Sequence, residues 1–399
     1  MRRLTPLLVL ALVVAALATR PVGAQADPLS RFVAAPTPTR ILDTREAGGP
    51  LGPDGTRTLA VAGAAGSPVP NEATAAVLTV TLVDAAGPGY LTVWPAGELR
   101  PLASNLNATF AGQTVANLVT VKLGAGGAVD MYAQTGGHVV VDVAGWFEEA
   151  GPTETAGRFV PAEPTWVLGT RIGEEEGRAA PGANLDVVVA GVAGVPADAV
   201  AVVVVATLHD ASAPGFVTVW PTGGTRPQAS NLNASAVGQT VSDLVVVPIG
   251  DGGRITVTTQ SGGHLLVDLV GWFTGPSAPA ASTGLFAPVS PARVLDTREG
   301  HGAPRRVVGP GGSVALTVPG ASGAVAAIAN VTVTDPPALG LLDLAPLPPT
   351  EPLAAFDVDE PALTLARAAV LPLDEEASTT LSTRSGGHLV ADVQGWFVA

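Results

Sequence analysis

The sequence contains no cysteine, a single lysine and few aromatic residues, and each shortage limits what the protein can be. Without cysteine the chain can form no disulfide and no thiolate metal site. Lys122 stands alone among 20 basic residues, against 34 acidic ones, and the formal net charge is -14. Such a surface repels nucleic-acid phosphates and anionic lipids. We therefore expect no nucleic-acid partner, and we expect hydrophobic cores to supply the stability.

The motifs of the common enzyme classes are also missing. There is no HExxH, no GxSxG, no Walker loop and no GxGxxG at the start of a helix. Acidic runs at 174–176, 357–360 and 374–376 lack the ligand spacing of a known calcium loop. We predict no catalytic residue, no metal and no cofactor. An extracellular hydrolase of unfamiliar type is the least favoured alternative.

Residues 1–26 have the form of a secretory signal peptide. Arg2 and Arg3 give a positive start, residues 7–18 are all apolar, and Ala24-Gln25-Ala26 resembles a cleavage site. A membrane anchor is the alternative, but this apolar run is shorter than the roughly 20 residues that span a bilayer. No later segment is apolar enough to cross a membrane. The sequence predicts a secreted, extracellular protein, with any retention at the cell wall noncovalent.

Three tandem repeats account for nearly all of the remaining chain. A GGH motif recurs at 136–138, 262–264 and 386–388, and each copy leads into a closing GWF. We predict repeat domains at 31–149, 156–275 and 284–399, the third degenerate in its middle. The segments 148–157 and 274–284 are rich in small residues and proline, which is typical of extended linkers. Three separate beads on a string are therefore expected.

Each repeat has the composition of a β-domain. Residues 75–85 and 201–211 are rich in β-branched residues, and runs near 90, 118, 130 and 140 are short and bounded by Gly, Pro, Asn or Asp. No segment has a convincing amphipathic helical period. About eight strands in about 115 residues predict three antiparallel β-sandwiches of jelly-roll type, with a small closed barrel as the alternative.

The motif set also resembles a known β-rich repeat. It comprises DTR (43–45), PGYLTVWP (88–95), SNLN (104–107), GQTVANLV (112–119) and DVAGWF (142–147), with second copies of most of these motifs. It is similar to a tandem repeat of secreted and cell-surface proteins of actinobacteria and some other bacteria. The resemblance implies an extracellular or envelope location. It implies no activity, because no ligand or catalytic residue is established for that family.

Three motifs favour structural roles. The GGH histidines precede an aspartate by four residues, about 13 Å along a strand, which is too far for one shared metal. The GWF aromatics are expected in a core or between domains. Asp43 with Arg45, and Asp296 with Arg298, predict local ion pairs, although Gly169 replaces the aspartate in repeat 2.

The YLTVW strand is the better candidate for ligand binding. Strand alternation places Leu91 and Val93 towards a core and their neighbours on the opposite face. Repeat 3 keeps the apolar face but reads Leu341, Asp343 and Ala345 on the other. An aromatic face that one repeat can lose is expected at the surface, where rings stack on sugars. This face comprises Tyr90, Thr92 and Trp94 in repeat 1 and Phe216, Thr218 and Trp220 in repeat 2.

SNLN has two interpretations. Repeat 3 reads AAFD (354–357) in its place, and it loses the asparagines together with the aromatics, which favours a shared site. Asparagine is also a common turn residue that bonds its own backbone, so a turn or bulge remains the alternative. The candidate ligands are Asn105 and Asn107 with Asn231 and Asn233. Either a cell-wall glycan or a surface protein would suit this face, and an architectural spacer needs no ligand at all.

Overall fold

The computed structural model describes residues 28–171, 177–345, 354–358 and 363–399. The predicted signal peptide (1–26) and the acidic residues 174–176 and 359–360 lie outside these ranges. Within them the protein is all-β and its strands pair antiparallel, with one short 3-10 turn at Ala125–Gly127. The predicted fold class is confirmed. The described residues include no helix with the length and apolar character needed to traverse a bilayer.

Each repeat contributes eight strands. Repeat 1 contains β1 (Ser30–Asp43), β2 (Gly55–Ala60), β3 (Ala73–Val83), β4 (Gly89–Pro95), β5 (Leu106–Ala108), β6 (Val115–Lys122), β7 (Ala128–Ala133) and β8 (His138–Glu149). Repeat 2 contains β9 (Phe159–Gly169), β10 (Asn184–Val188), β11 (Ala201–His209), β12 (Gly215–Pro221), β13 (Leu232–Ala234), β14 (Val241–Pro248), β15 (Arg254–Thr259) and β16 (His264–Phe273). Repeat 3 contains β17 (Phe286–Asp296), β18 (Gly312–Thr317), β19 (Ala326–Thr334), β20 (Gly340–Ala345), β21 (Ala354–Val358), β22 (Leu365–Pro372), β23 (Ser378–Thr383) and β24 (His388–Phe397).

The strand order in each repeat is that of a jelly roll. In repeat 1 the inner sheet runs β1-β8-β3-β6 and the outer sheet runs β2-β7-β4-β5. Repeats 2 and 3 show the same two orders, shifted by eight and sixteen strands. A single pairing of Ser30 with Phe286 joins the inner sheets of repeats 1 and 3.

The inner sheets are buried on both faces, which explains their nearly continuous apolar runs. In β3, Leu78, Val80 and Leu82 pack into the core between the two sheets of repeat 1. The alternate residues Ala75 and Val77 belong to a different cluster that draws on all three repeats. Strands β11 and β19 divide their residues in the same way. A two-sided sheet of this kind needs apolar residues at successive positions rather than at every second one.

This second cluster, the central core, joins the three repeats around a pseudo-threefold axis. It contains alanines, valines and other aliphatic residues of the inner sheets together with six phenylalanines. The phenylalanine at the start of each repeat stacks on the closing phenylalanine of another, with ring centroids 4.0, 4.3 and 4.4 Å apart. The three stacked pairs are Phe32 with Phe273, Phe286 with Phe147, and Phe159 with Phe397. The ring of contacts closes, so the expected picture of separate beads is wrong.

The linkers are also part of the assembly. Arg158, although its side chain is mostly buried, donates to the carbonyls of Thr283 and Pro279 in the second linker. The amide of Phe32 donates to the Gly157 carbonyl, and the amide of Phe159 donates to Gly284 in the same way, both at 2.8 Å. The segments 148–157 and 274–284 thus hydrogen-bond to the repeats, which the picture of separate beads did not anticipate.

The closing GWF motif divides between two cores, as the prediction of core or interdomain packing allowed. Trp146 packs into the sandwich core of its own repeat, whereas Phe147 enters the central core. Gly145 lies directly under the Phe32 ring, and a Cβ at this position would come within 2.5 Å of ring carbons. Gly271 and Gly395 lie equally close to Phe159 and Phe286. The glycine is therefore required by the phenylalanine that packs on it.

Candidate functional site

A cleft opens between repeats 1 and 3, at what we call the first junction. There the edge strand β5 of repeat 1 contacts β22 of repeat 3. The cleft has a volume of 720 Å³, and small-molecule sites typically occupy about 300–1,000 Å³. Repeat 1 contributes an aromatic ring and both repeats contribute polar side chains to its lining, which includes Tyr90, Arg100, Asn107, Gln134, Arg293 and Arg298.

Arg293 fastens the two repeats together at this junction. Its Nη2 donates to the Leu102 carbonyl of repeat 1. Its Nε and Nη2 also contact the two oxygens of Asp392 at 2.9 and 3.0 Å, and its Nη1 contacts Asp296 at 3.0 Å. These bonds fix the guanidinium plane, so the wall of the cleft is rigid at this point.

The carboxylates of this group lie behind the arginines. Asp296 and Asp392 are each only 1% exposed, whereas the side chain of Arg298 is 40% exposed. Burial raises the pKa of Asp296, but hydrogen bonds from Arg298 and the nearby positive charges outweigh it and lower the pKa to about 2. Burial raises the pKa of Asp392, with Arg293 opposing. The charged groups that face the cleft are therefore arginine guanidinium groups and not carboxylates.

Arg100 is held by an aromatic ring instead of an acid. Its guanidinium carbon lies 3.7 Å from the centroid of the Tyr132 ring, which in turn lies 5.8 Å from the Tyr90 ring. Such cation–π contacts position an arginine without neutralising it. Arg100 takes part in none of the ion pairs among the described residues.

Four of the predicted ligand residues lie inside the protein. Trp94 and Trp220 are only 5% and 4% exposed, and Thr92 and Thr218 are fully buried. The expected exposed tryptophan strip is wrong, because the loop after β4 folds back over the outer face of the strand. The Thr92 hydroxyl donates to the Ala103 carbonyl at 2.6 Å, and the Trp94 indole donates to Glu98 at 3.0 Å.

The first asparagine of each SNLN is structural. The backbone amide of Asn105 donates to the Leu91 carbonyl at 2.8 Å, and its Oδ1 accepts from the Val93 amide at 2.6 Å. β5 begins only at Leu106, so the Asn105 side chain supplies the hydrogen bond to β4 that a backbone carbonyl would otherwise make. Asn231 accepts from the Val219 amide in the same way at 2.8 Å. For these two residues the turn or bulge interpretation holds.

The second asparagine lies beside the aromatic residue at the start of the strand. Tyr90 pairs with Asn107 across β4 and β5, and both line the cleft. Phe216 pairs with Asn233 at the same position of repeat 2. The structure therefore brings four of the ten predicted ligand residues to the junctions and places the other six in the interior.

The second junction, between repeats 2 and 1, repeats the key contacts of the first. Arg40 of repeat 1 donates to the Gln228 carbonyl of repeat 2 at 2.9 Å and pairs with Asp142 at 3.0 Å. Arg45 pairs with Asp43, as predicted, and its hydrogen bonds lower the pKa of Asp43 to about 2 although burial opposes them. Arg226 lies 5.7 Å from the centroid of the Phe216 ring.

The third junction, between repeats 3 and 2, keeps Arg171 as the counterpart of Arg45 but has lost the other features. There β21 of repeat 3 contacts β14 of repeat 2. Repeat 2 has Trp166 and Gly169 where repeat 1 has Arg40 and Asp43. Repeat 3 reads Leu341 in place of Tyr90 and Asp357 in place of Asn107. Two departures that look unrelated in the sequence thus belong to one contact.

Each GGH histidine contacts a threonine that follows the first strand of its repeat. His138 Nδ1 lies 3.1 Å from the Thr44 hydroxyl, which also accepts from the Val139 amide at 2.9 Å. His264 and His388 contact Thr170 and Thr297 in the same way. Within the described part of the chain, no three His, Asp or Glu side chains are grouped to hold a metal.

The chain matches no protein-family model and no curated protein. The inference of function therefore depends on the geometry of the junctions.

Sequence reasoning missed the arginines of these junctions. Arg100 and Arg226 each stand four residues before SNLN, in the longer shared pattern RPxASNLN at 100–107 and 226–233. Repeat 3 has no arginine between β20 and AAFD (354–357). This signal was available in the sequence. The contribution of Arg293 was not, because it depends on how the repeats close around the axis.

Proposed function

We propose that the protein is a secreted, noncatalytic envelope component that binds a glycan or cell-wall polymer at the first and second junctions. The observation that supports this proposal is the pairing of an aromatic ring with an amide at each junction, Tyr90 with Asn107 and Phe216 with Asn233. An aromatic ring stacks on the C–H face of a sugar, and amide groups bond to its hydroxyls. Two sites on one rigid body add avidity along a polymer.

Cosedimentation with cell walls tests the proposal. The mature chain, residues 27–399, is mixed with purified walls of the source organism, and a Tyr90→Ala plus Phe216→Ala variant is compared with it. Phe110→Ala is the matched control, since this ring is 44% exposed and does not line the cleft. We expect wild type and control to sediment with the walls and the double variant to lose at least about tenfold in affinity, consistent with one to two stacking contacts.

Tryptophan variants are unsuitable for this test, because Trp94 and Trp220 are buried and their loss would disturb the core. Equal binding by all three proteins would place the ligand elsewhere. Absence of binding by the wild type would overturn the proposal.

A surface protein is the second candidate partner, and the rim of the first junction favours it. Leu99 and Leu102 are 95% and 87% exposed beside Arg100, whereas repeat 2 has Thr225 and Gln228 at these positions. Exposed apolar side chains at a cleft are typical of protein contacts. Walls stripped of protein by protease separate the two candidates. Retention by stripped walls supports a glycan, and loss of retention supports a protein.

A further inference from the structure

We infer that the first and second junctions select an anionic group on the bound polymer, a carboxylate or a phosphodiester, and that the third junction has lost this selectivity. The inference rests on the proposed polymer binding and specifies the chemistry of the ligand.

The charge of the cleft is opposite to the charge of the molecule. The chain carries 34 acidic and 20 basic residues. The described residues that line the cleft nevertheless include Arg100, Arg293 and Arg298 and no aspartate or glutamate. A neutral sugar would need no such concentration of positive charge, and in an acidic protein a positive cleft focuses anions from solution.

Arg293 and Arg298 are paired with acids that are buried behind the cleft, and Arg100 is in none of the ion pairs among the described residues. Arg298 donates to Asp296 from Nε and Nη2, and its side chain remains 40% exposed. Arg100 lies over the Tyr132 ring and is exposed, so that its guanidinium faces solvent at the cleft. A planar guanidinium held in this way suits the paired oxygens of a carboxylate or phosphate.

The comparison among the three junctions supports the same chemistry. Arg226 of repeat 2, with Arg40 and Arg45 of repeat 1, repeats the arginine set at the second junction. At the third, Trp166 replaces the bridging arginine, repeat 2 keeps only Arg171 of the pair, and the sequence of repeat 3 has no arginine between β20 and AAFD (354–357). A junction that keeps one arginine of three attracts an anion less strongly than the other two junctions do.

Affinity electrophoresis with three polymers tests the inference. The probes are polygalacturonate, which carries carboxylates, polyglycerol phosphate, which carries phosphodiesters, and neutral dextran. The mature chain is compared with an Arg100→Gln plus Arg226→Gln variant. The matched control is Arg57→Gln plus Arg254→Gln, which removes the same two charges from positions outside the cleft lining.

We expect retardation of the wild type and the control by at least one anionic polymer, weakened by added salt, and a loss of about tenfold or more in affinity for the junction variant. The polymer that retards the protein identifies the anionic group as carboxylate or phosphodiester. Equal retardation by dextran, or an equal loss in control and junction variants, would overturn the anionic selectivity. Binding to cell walls without retardation by either anionic polymer would overturn it too, while the proposed polymer binding would stand.

Discussion

Asp243 occupies a position near the pseudo-threefold axis where the three repeats differ. The edge strands β6, β14 and β22 contact one another there, and they carry Asn117, Asp243 and Arg367 at matching positions. Asn117 accepts a hydrogen bond from the Ala368 amide at 2.9 Å. Arg367 Nε lies 3.2 Å from Asp243 Oδ1, but neither carboxylate oxygen has a well-aligned hydrogen bond. Burial therefore outweighs the ion pair and raises the pKa of Asp243 to about 7.

Asp243→Asn should change the pH dependence of stability. An acid whose pKa is raised by folding stabilises the protein below its unfolded value, near 3.8, and that contribution is lost as the pH rises through about 7. The amide does not titrate, so the variant should gain about 2–4 kcal/mol in free energy of unfolding relative to wild type between about pH 4 and pH 8. Urea unfolding at both pH values measures the difference.

Asp251→Asn is the control for that experiment, because Asp251 is an exposed residue of the same repeat. If Asp243→Asn instead loses stability relative to wild type, and loses more at pH 8 than at pH 4, the buried carboxylate is ionised and stabilised by Arg367.

The strands could be predicted from the sequence, but the environment of their faces could not. β-branched runs bounded by turn residues predicted the sandwich, and the structure has them. The outward face of β4 was misjudged because alternation says only that Trp94 points away from Leu91, and nothing local reveals that the loop ending at Ala103 covers it. The central core was missed for a similar reason. Phe32 and Phe273 are 241 positions apart, and no local pattern reveals that they stack.

The contact between the first and last strands of a repeat provides a prediction for single elements. Gly145→Ala would place a Cβ 2.5 Å from the Phe32 ring, so the strand or the ring must shift. We expect a loss of about 1–3 kcal/mol, typical of overpacking in a core. Gly52→Ala is the control, because a Cβ there meets no atom within 4 Å, and its effect should remain within about 0.5 kcal/mol.

Chemical denaturation midpoints measure both glycine variants. Equal stability of the two would show that the Phe32 ring can move away without cost. The packing of the central core on the GWF glycine would then be much looser than the geometry indicates.

The whole molecule is a fused trimer whose repeats are free to differ. In a symmetric trimer of identical chains, the position of Asp243 would carry three like residues, and three carboxylates or three guanidiniums would repel one another. Fusion allows Asn117, Asp243 and Arg367 to occupy it together. It also allows two junctions to keep all three arginines while the third keeps only Arg171. A ligand that spans the first and second junctions would therefore bind in a single orientation.

Closure of the repeats around the central core predicts a compact shape and a single unfolding transition. For residues 28–399 a compact domain has a radius of gyration of about 21 Å, whereas three linked beads would give roughly 30 Å. Small-angle X-ray scattering of the mature chain should give the smaller value.

Calorimetry should show one transition, because unfolding one repeat exposes the phenylalanines that the other two pack against. Phe397→Ala, which removes a ring that contacts Phe159 and Phe286, should lower that transition as a whole. Three separable transitions, or a variant that affects only one of them, would show that the repeats are stable apart.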